Sequence, residues 1–141
     1  DEIKSKKFFF KAKKENKKYA SLTIDSNLEI YKKLTINFIN KSYKIGAMSA
    51  FVNIGNINEC EKTRKIIVND ISSLFLNTKK ESYVKPHFLH KDSNINTTLW
   101  RLENGFVRVA CYDWSISSGF PLELRIDTAS NNYADFLDTI N

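Results

Sequence analysis

The plainest alternation in the chain is LELRID. Leu122, Leu124 and Ile126 fall on one side of an extended backbone, with Glu123, Arg125 and Asp127 on the other. A period of two with one apolar side predicts a half-buried strand. Upstream, NTTLWRLENGFVRVACYDW alternates on both sides of Asn104-Gly105. That dipeptide favours a two-residue hairpin turn because both turn positions take positive φ. Pairing outward from it predicts strands near 97–103 and 106–114. Glu103 then faces Phe106, Leu102 faces Val107, Arg101 faces Arg108, Trp100 faces Val109 and Thr98 faces Cys111. Opposed residues share a face. One face reads Leu102, Val107, Trp100, Val109, Thr98 and Cys111, a core face. The other reads Glu103, Phe106, Arg101, Arg108, Leu99 and Ala110, a mixed and half-wet face.

The period changes to that of a helix in two places. From Ser130, the residues Tyr133, Phe136, Leu137 and Ile140 fall at i, i+3, i+4 and i+7. In NECEKTRKIIVNDISSLF, Asn58 is a competent N-cap, and Glu59 and Glu61 suit a first turn. Cys60, Thr63, Ile67, Ile71, Leu74 and Phe75 form its apolar stripe. Before this helix, ASLTID, NLEIYKKLTINFI and YKIGAMSAFVNI read as strands rich in β-branched and aromatic residues, although 28–39 also fits a helix. Residues 77–96 are polar, contain Pro86 and read as a long loop. The expected fold class is α+β: an antiparallel sheet of five or six strands with two helices packed on one face.

Composition adjusts this picture at one end. Hydrophobic residues make up 42% of the 141-residue chain, enough for one folded domain rather than a disordered chain. Its longest apolar runs fall far short of the ~18 residues of a membrane span. The net charge of +6 concentrates in residues 1–18, where eight lysines face three acidic groups, while the remainder is close to neutral. The expected organisation is a lysine-rich segment over 1–18 and a single domain over 19–141. Phe8, Phe9 and Phe10 inside the lysine run would suit an anionic membrane surface or a nucleic acid. The plainer reading is a solubilising segment whose phenylalanines dock on the core, with no nucleic acid as partner. The first residues are Asp1 and Glu2, and the one methionine is Met48. Removal of a signal peptide, which would make the protein periplasmic or secreted, and simple trimming both explain that start.

Cys60 and Cys111 are the two cysteines, and four chemistries compete for them. A nucleophile requires a base, and the two histidines, His87 and His90, both lie in the polar 77–96 stretch. A cysteine-dependent hydrolase using Cys60 or Cys111 with one of them is therefore an alternative reading. Cys60, near a helix start, is the better placed of the two for a lowered pKa. Metal binding lacks the close cysteine pairs of structural zinc sites, and His87, His90 and Asp92 in HFLHKD read more simply as surface groups. Two buried thiols form a third reading. A Cys60–Cys111 disulfide asks least, because helix and strand each point a cysteine inward. Closing a loop of about 50 residues would add about 4 kcal/mol. An even cysteine count also agrees with an oxidising compartment. No phosphate-binding glycine loop, serine-hydrolase elbow or zinc-protease motif occurs, and no cofactor is implied. The sequons at Asn40 and Asn96 match chance expectation for so many Asn, Ser and Thr.

One feature points to a partner. Arg101 and Arg108 oppose each other in the expected register, Arg125 joins them from the next strand, and Phe106, Leu99 and Tyr112 stand beside them. Opposed like charges are unfavourable unless Glu103 and Glu123 intercalate or a carboxylate arrives from elsewhere. Arginine with aromatic residues is the composition of interface hot spots. The expected function is therefore a non-catalytic, extracytoplasmic protein-binding domain, of an inhibitor or toxin-immunity type. Its binding surface is expected at Arg101, Phe106, Arg108 and Arg125.

Overall fold

The alternating segments pair into one continuous antiparallel sheet. The structure, a computed structural model, describes residues 18–25 and 31–138. Three strands come first: β1 (Tyr19–Asp25), β2 (Lys33–Ile39) and β3 (Ile45–Asn53). Helix α1 (Ile57–Leu74) then crosses the sheet to β4 (Lys79–Pro86), and β5 (Asn94–Leu102), β6 (Gly105–Asp113) and β7 (Glu123–Ser130) return toward β3. Helix α2 (Asn131–Asp138) ends the described chain. The strand order is β1-β2-β3-β7-β6-β5-β4. No helix among the described residues is long and apolar enough to cross a membrane. Residues 1–17 of the lysine-rich segment, with its expected membrane or nucleic-acid contact, lie outside the described residues.

The sheet has seven strands rather than five or six. The extra one is β4, inside the stretch expected to be a loop. KKESYVKP lacks an apolar face because it is an edge strand with most of its side chains exposed. Lys79, Lys80 and Lys85 along it, and Pro86 at its end, are groups that discourage further pairing at an edge.

Alternation carries Trp100, Val109, Cys111 and Leu124 to one face, where they form the core with Cys60. Ile57, Ile67, Val68 and Ile71 of α1 pack on them. Helix α1 starts two residues earlier than expected. Asn56, in extended conformation, is the N-cap and accepts from the Glu59 N–H at 2.9 Å. The core face also holds a polar group that the apolar stripe conceals: buried Arg64 donates to Thr98 Oγ1 at 2.8 Å and to Glu61 at 2.8 Å.

The second helix packs on β3, β6 and β7. Alternation along β1 puts Tyr19 on the side of Ser21 and Thr23, opposite Leu22 and Ile24, which belong to the α1 side. Tyr133 and Phe136 of α2 meet the Tyr19 ring with centroids 5.0 and 4.6 Å apart. Gly46 permits this approach, since a Cβ there would lie 3.1 Å from both tyrosine rings. Helix α2 thus packs beside Tyr19 and Gly46, at the end of the sheet where β1 and β3 begin.

The hairpin register also differs from expectation. Leu102 pairs with Gly105 and Arg101 with Phe106, so the turn residues are Glu103 and Asn104. Leu99, not Arg101, faces Arg108, and Thr98, not Trp100, faces Val109. Each partner moves by two residues, so both faces keep their expected membership. The cause is tertiary. Gly105 does not take positive φ; it lies where the backbone of β7 passes, with the Ala129 carbonyl oxygen 2.1 Å from where a Cβ would stand. Start of α2 then secures the turn, with the Asn131 N–H donating to the Asn104 carbonyl at 3.0 Å.

Candidate functional site

On the face away from α1, residues line up across the strands. Lys85, Ile95, Tyr112 and Glu123 form one row, and Tyr83, Thr97, Ala110, Arg125 and Phe51 the next. Glu81, Leu99, Arg108, Asp127 and Ser49 form a third. This register decides the fate of the expected binding residues. Arg108 is beside Asp127 and donates to Oδ2 through Nε at 3.0 Å and Nη2 at 2.6 Å. Ser49 holds the other carboxylate oxygen at 2.6 Å. Arg125 reaches Glu123 on its own strand at 2.5 Å. Arg101 meets Glu81 at 3.3 Å, a carboxylate that Lys79 also contacts. Arg101 and Arg108 are thus not opposed, and the sheet supplies a carboxylate for each arginine: Glu123 as the sequence offered, but Asp127 and Glu81 in place of Glu103.

These pairs make two of the arginines structural. Burial works against the charge of Arg108, but the neighbouring Asp127 carboxylate outweighs it and holds the guanidinium above its ordinary pKa. The same competition, won by Glu123, raises Arg125. Burial also raises Tyr112, although Arg108 pulls the other way. Glu81 is held low by hydrogen bonds from Lys79 and Arg101. Arg108→Ala would leave buried Asp127 without its cation, which costs several kcal/mol in a closed interior. With Arg108 about a quarter exposed, the expected loss is about 2 kcal/mol by urea denaturation, against nearly none for Arg101→Ala, since Arg101 is itself more than half exposed. Equal losses for the two would contradict this division.

The expected site divides in space. Arg108 and Arg125 line one cleft together. Phe106 lines a separate depression beside Gly46, Leu102 and Ala129. That depression lies six register positions from Tyr112, about 20 Å along the sheet. Arg101 stays on the β4 side.

The cleft itself went unforeseen. It has a volume of about 420 Å³ and is lined by Lys85, Pro86, His87 and Phe88 together with Trp114. Tyr112 forms the floor, nearly parallel to Trp114 at 24° with centroids 5.5 Å apart. The Arg125 guanidinium lies 4.6 Å from the Tyr112 centroid, a cation–π contact. Trp114 also touches His87 at 4.8 Å and Phe120 at 5.0 Å, and His90 touches Phe120 at 5.7 Å. The Trp114 indole nitrogen is buried with no hydrogen-bond partner among the described residues.

Two loops build this end of the sheet, and one buried serine joins them. Ser93, after the β4–β5 turn, accepts from the Ser115 N–H at 2.8 Å and donates to the Ser115 hydroxyl at 3.2 Å. The β4–β5 loop folds around His87, whose Nδ1 accepts from the N–H groups of Leu89 and His90 at 3.2 and 3.3 Å. That geometry requires Nδ1 unprotonated. Burial first, then the positive charges of His90, Arg125 and Lys85, lower the His87 pKa below 6.5. A lowered histidine contributes its stability fully above the unfolded value near 6.5, and loses it as pH falls toward the folded value. NMR titration of His87 should give an apparent pKa below 6.5; one above it would contradict the loop geometry.

Cys60 and Cys111 are disulfide-bonded, with Cα atoms 6.1 Å apart, as the sequence led us to expect. The hydrolase alternative loses its nucleophile in this state. It also loses its geometry, because Cys111 faces α1 whereas His87 lines the cleft on the Tyr112 side. Comparison with protein-family models, with curated proteins and with solved structures returned no match.

Proposed function

We propose that this chain is a non-catalytic, extracytoplasmic protein-binding domain whose partner docks on the loop end of the sheet. One observation carries the reading. Phe88, Leu89 and Phe120 are 65%, 70% and 55% exposed, and Ile116 is fully exposed, all on the two loops that Ser93 ties together. Single exposed apolar residues are ordinary, whereas four on adjoining loops over an aromatic cleft have the composition of an interface core. Arg108, Arg125 and Lys85 beside them supply the cationic contacts that such interfaces favour. The reading keeps Arg108 and Arg125 from the expected surface, and leaves Arg101 and Phe106 outside it.

The disulfide supports a periplasmic or secreted location, because such bonds persist in oxidising compartments. An inhibitor or immunity-type protein, which works by covering another protein's surface, is the functional class toward which these features point.

The test is affinity purification from the native source with wild type and a Phe88→Ser/Phe120→Ser double variant. Loss of a hot spot costs at least ~2 kcal/mol, about thirtyfold in affinity. The variant should lose the partner while still unfolding cooperatively in a thermal melt, since both side chains are more than half exposed. Equal recovery of the partner would place the interface elsewhere.

A further inference from the structure

We propose that the cleft lined by Lys85, Tyr112 and Trp114 receives an acidic, aromatic segment of the partner chain, with a carboxylate beside Lys85, Arg108 and Arg125 and a ring against the aromatic lining. This rests on reading the loop end as a protein interface, and adds the chemistry of the partner.

The charge of the cleft sets the sign of the guest. Three cations line it, and two carboxylates, Asp127 and Glu123, stand against the arginines. One positive charge remains unbalanced. Lys85 makes no ion pair among the described residues, and its ammonium lies 5.6 Å from the Tyr83 centroid. Asp127 takes the Nε and Nη2 donors of Arg108, and Glu123 takes Nε of Arg125 and stands in ion-pair contact with its Nη2. Nη1 of both guanidiniums has no hydrogen bond among the described residues. A guanidinium has five donors in a planar fork, so each arginine can hold its own carboxylate and still present an edge to a second.

The two carboxylates also select against a doubly charged guest. A phosphate dianion would meet Asp127 and Glu123 at close range, whereas a single carboxylate balances the one free charge. The stacked Tyr112 and Trp114 favour a flat side chain next to that carboxylate. The Trp114 indole N–H, buried without an acceptor, stands to gain one from a polar guest. Volume agrees: about 420 Å³ lies within the usual range of ligand pockets, ~300–1,000 Å³, and suits one or two residues of an inserted segment.

Three ten-residue peptides separate the possibilities when titrated into the full chain by calorimetry: glutamate alternating with phenylalanine, lysine with phenylalanine, and glutamate with serine. The glutamate–phenylalanine peptide should bind at least tenfold more tightly than the other two. Lys85→Glu should weaken it at least tenfold without affecting folding, because Lys85 is exposed and unpaired. Arg125→Gln should weaken it too, with a thermal melt to show that the variant is folded. Equal binding of the lysine peptide, indifference to Lys85→Glu, or tighter binding to phosphatidylglycerol vesicles than to the acidic peptide would overturn the proposal. If the peptides fail while the Phe88→Ser/Phe120→Ser variant still loses its partner, only the acidic chemistry falls. If that variant keeps its partner as well, the interface reading falls with it.

Discussion

Replacing Cys60 and Cys111 together by alanine is expected to lower the stability of the fold by about 4 kcal/mol. The two residues are 51 apart in sequence, and closing a loop of that length restricts the unfolded chain by about that amount. The bond also has a specific mechanical task. Cys60 is in the first turns of α1 and Cys111 in β6, and both are fully buried. Helix α1 otherwise holds the sheet through partly buried residues, Ile57, Ile67, Val68 and Ile71. Without the staple, its first turns depend on Ile57 and on the Arg64 contact to Thr98. Urea denaturation of the oxidised wild type and the double variant measures the difference. The wild type after reduction and alkylation should fall alongside the variant. A variant as stable as the oxidised protein would show that the bond adds nothing beyond ordinary packing.

The second large effect is at Gly105. Valine there should cost about 3 kcal/mol, the upper part of the range for overpacking. A Cβ would stand 2.1 Å from the Ala129 carbonyl oxygen and 3.1 Å from the Ser130 Cα, so the β7 backbone would have to move. That movement strains the bond from the Asn131 N–H to the Asn104 carbonyl, and with it the start of α2. Gly119 supplies the contrast. It has φ of 69° and open space around it, so Gly119→Ala meets only the left-handed backbone penalty of about 1 kcal/mol. Even alanine at Gly105 should therefore cost more than alanine at Gly119. The reverse order, measured by thermal or urea unfolding, would contradict the steric reading.

These two glycines show where local pattern stops being informative. Alternation alone placed Trp100, Val109 and Cys111 on the core face and Arg108 on the other, because a period of two survives any slip by two residues. It did not place the turn. Asn104-Gly105 has the chemistry of a positive-φ turn, but Gly105 is needed for a close approach by β7, a strand 18 residues further on. Strand β4 was hidden for a different reason. An edge strand exposed on most positions has no apolar face, so its lysines and Pro86 resemble a loop. The carboxylates that satisfy Arg108 and Arg125 are visible in LELRID, yet only the β6–β7 register puts Asp127 against Arg108. The cleft was legible in one respect: Tyr112 and Trp114 are two apart, on the arginine side. The rest of its lining comes from the loop around His87, held there by Ser93 and by ring contacts to Trp114 and Phe120, and no sequence spacing signals those contacts.

Site-specific photo-cross-linking in the living source tests the interface most directly. A photoreactive phenylalanine analogue replaces Phe88 in one variant and Tyr43 in another. Tyr43 is 74% exposed and lies in the β2–β3 turn, at the opposite end of the sheet. Irradiation should give a discrete protein adduct from position 88 and none from position 43. The same adducts from both positions, or an adduct from 43 alone, would contradict a partner docked on the loop end.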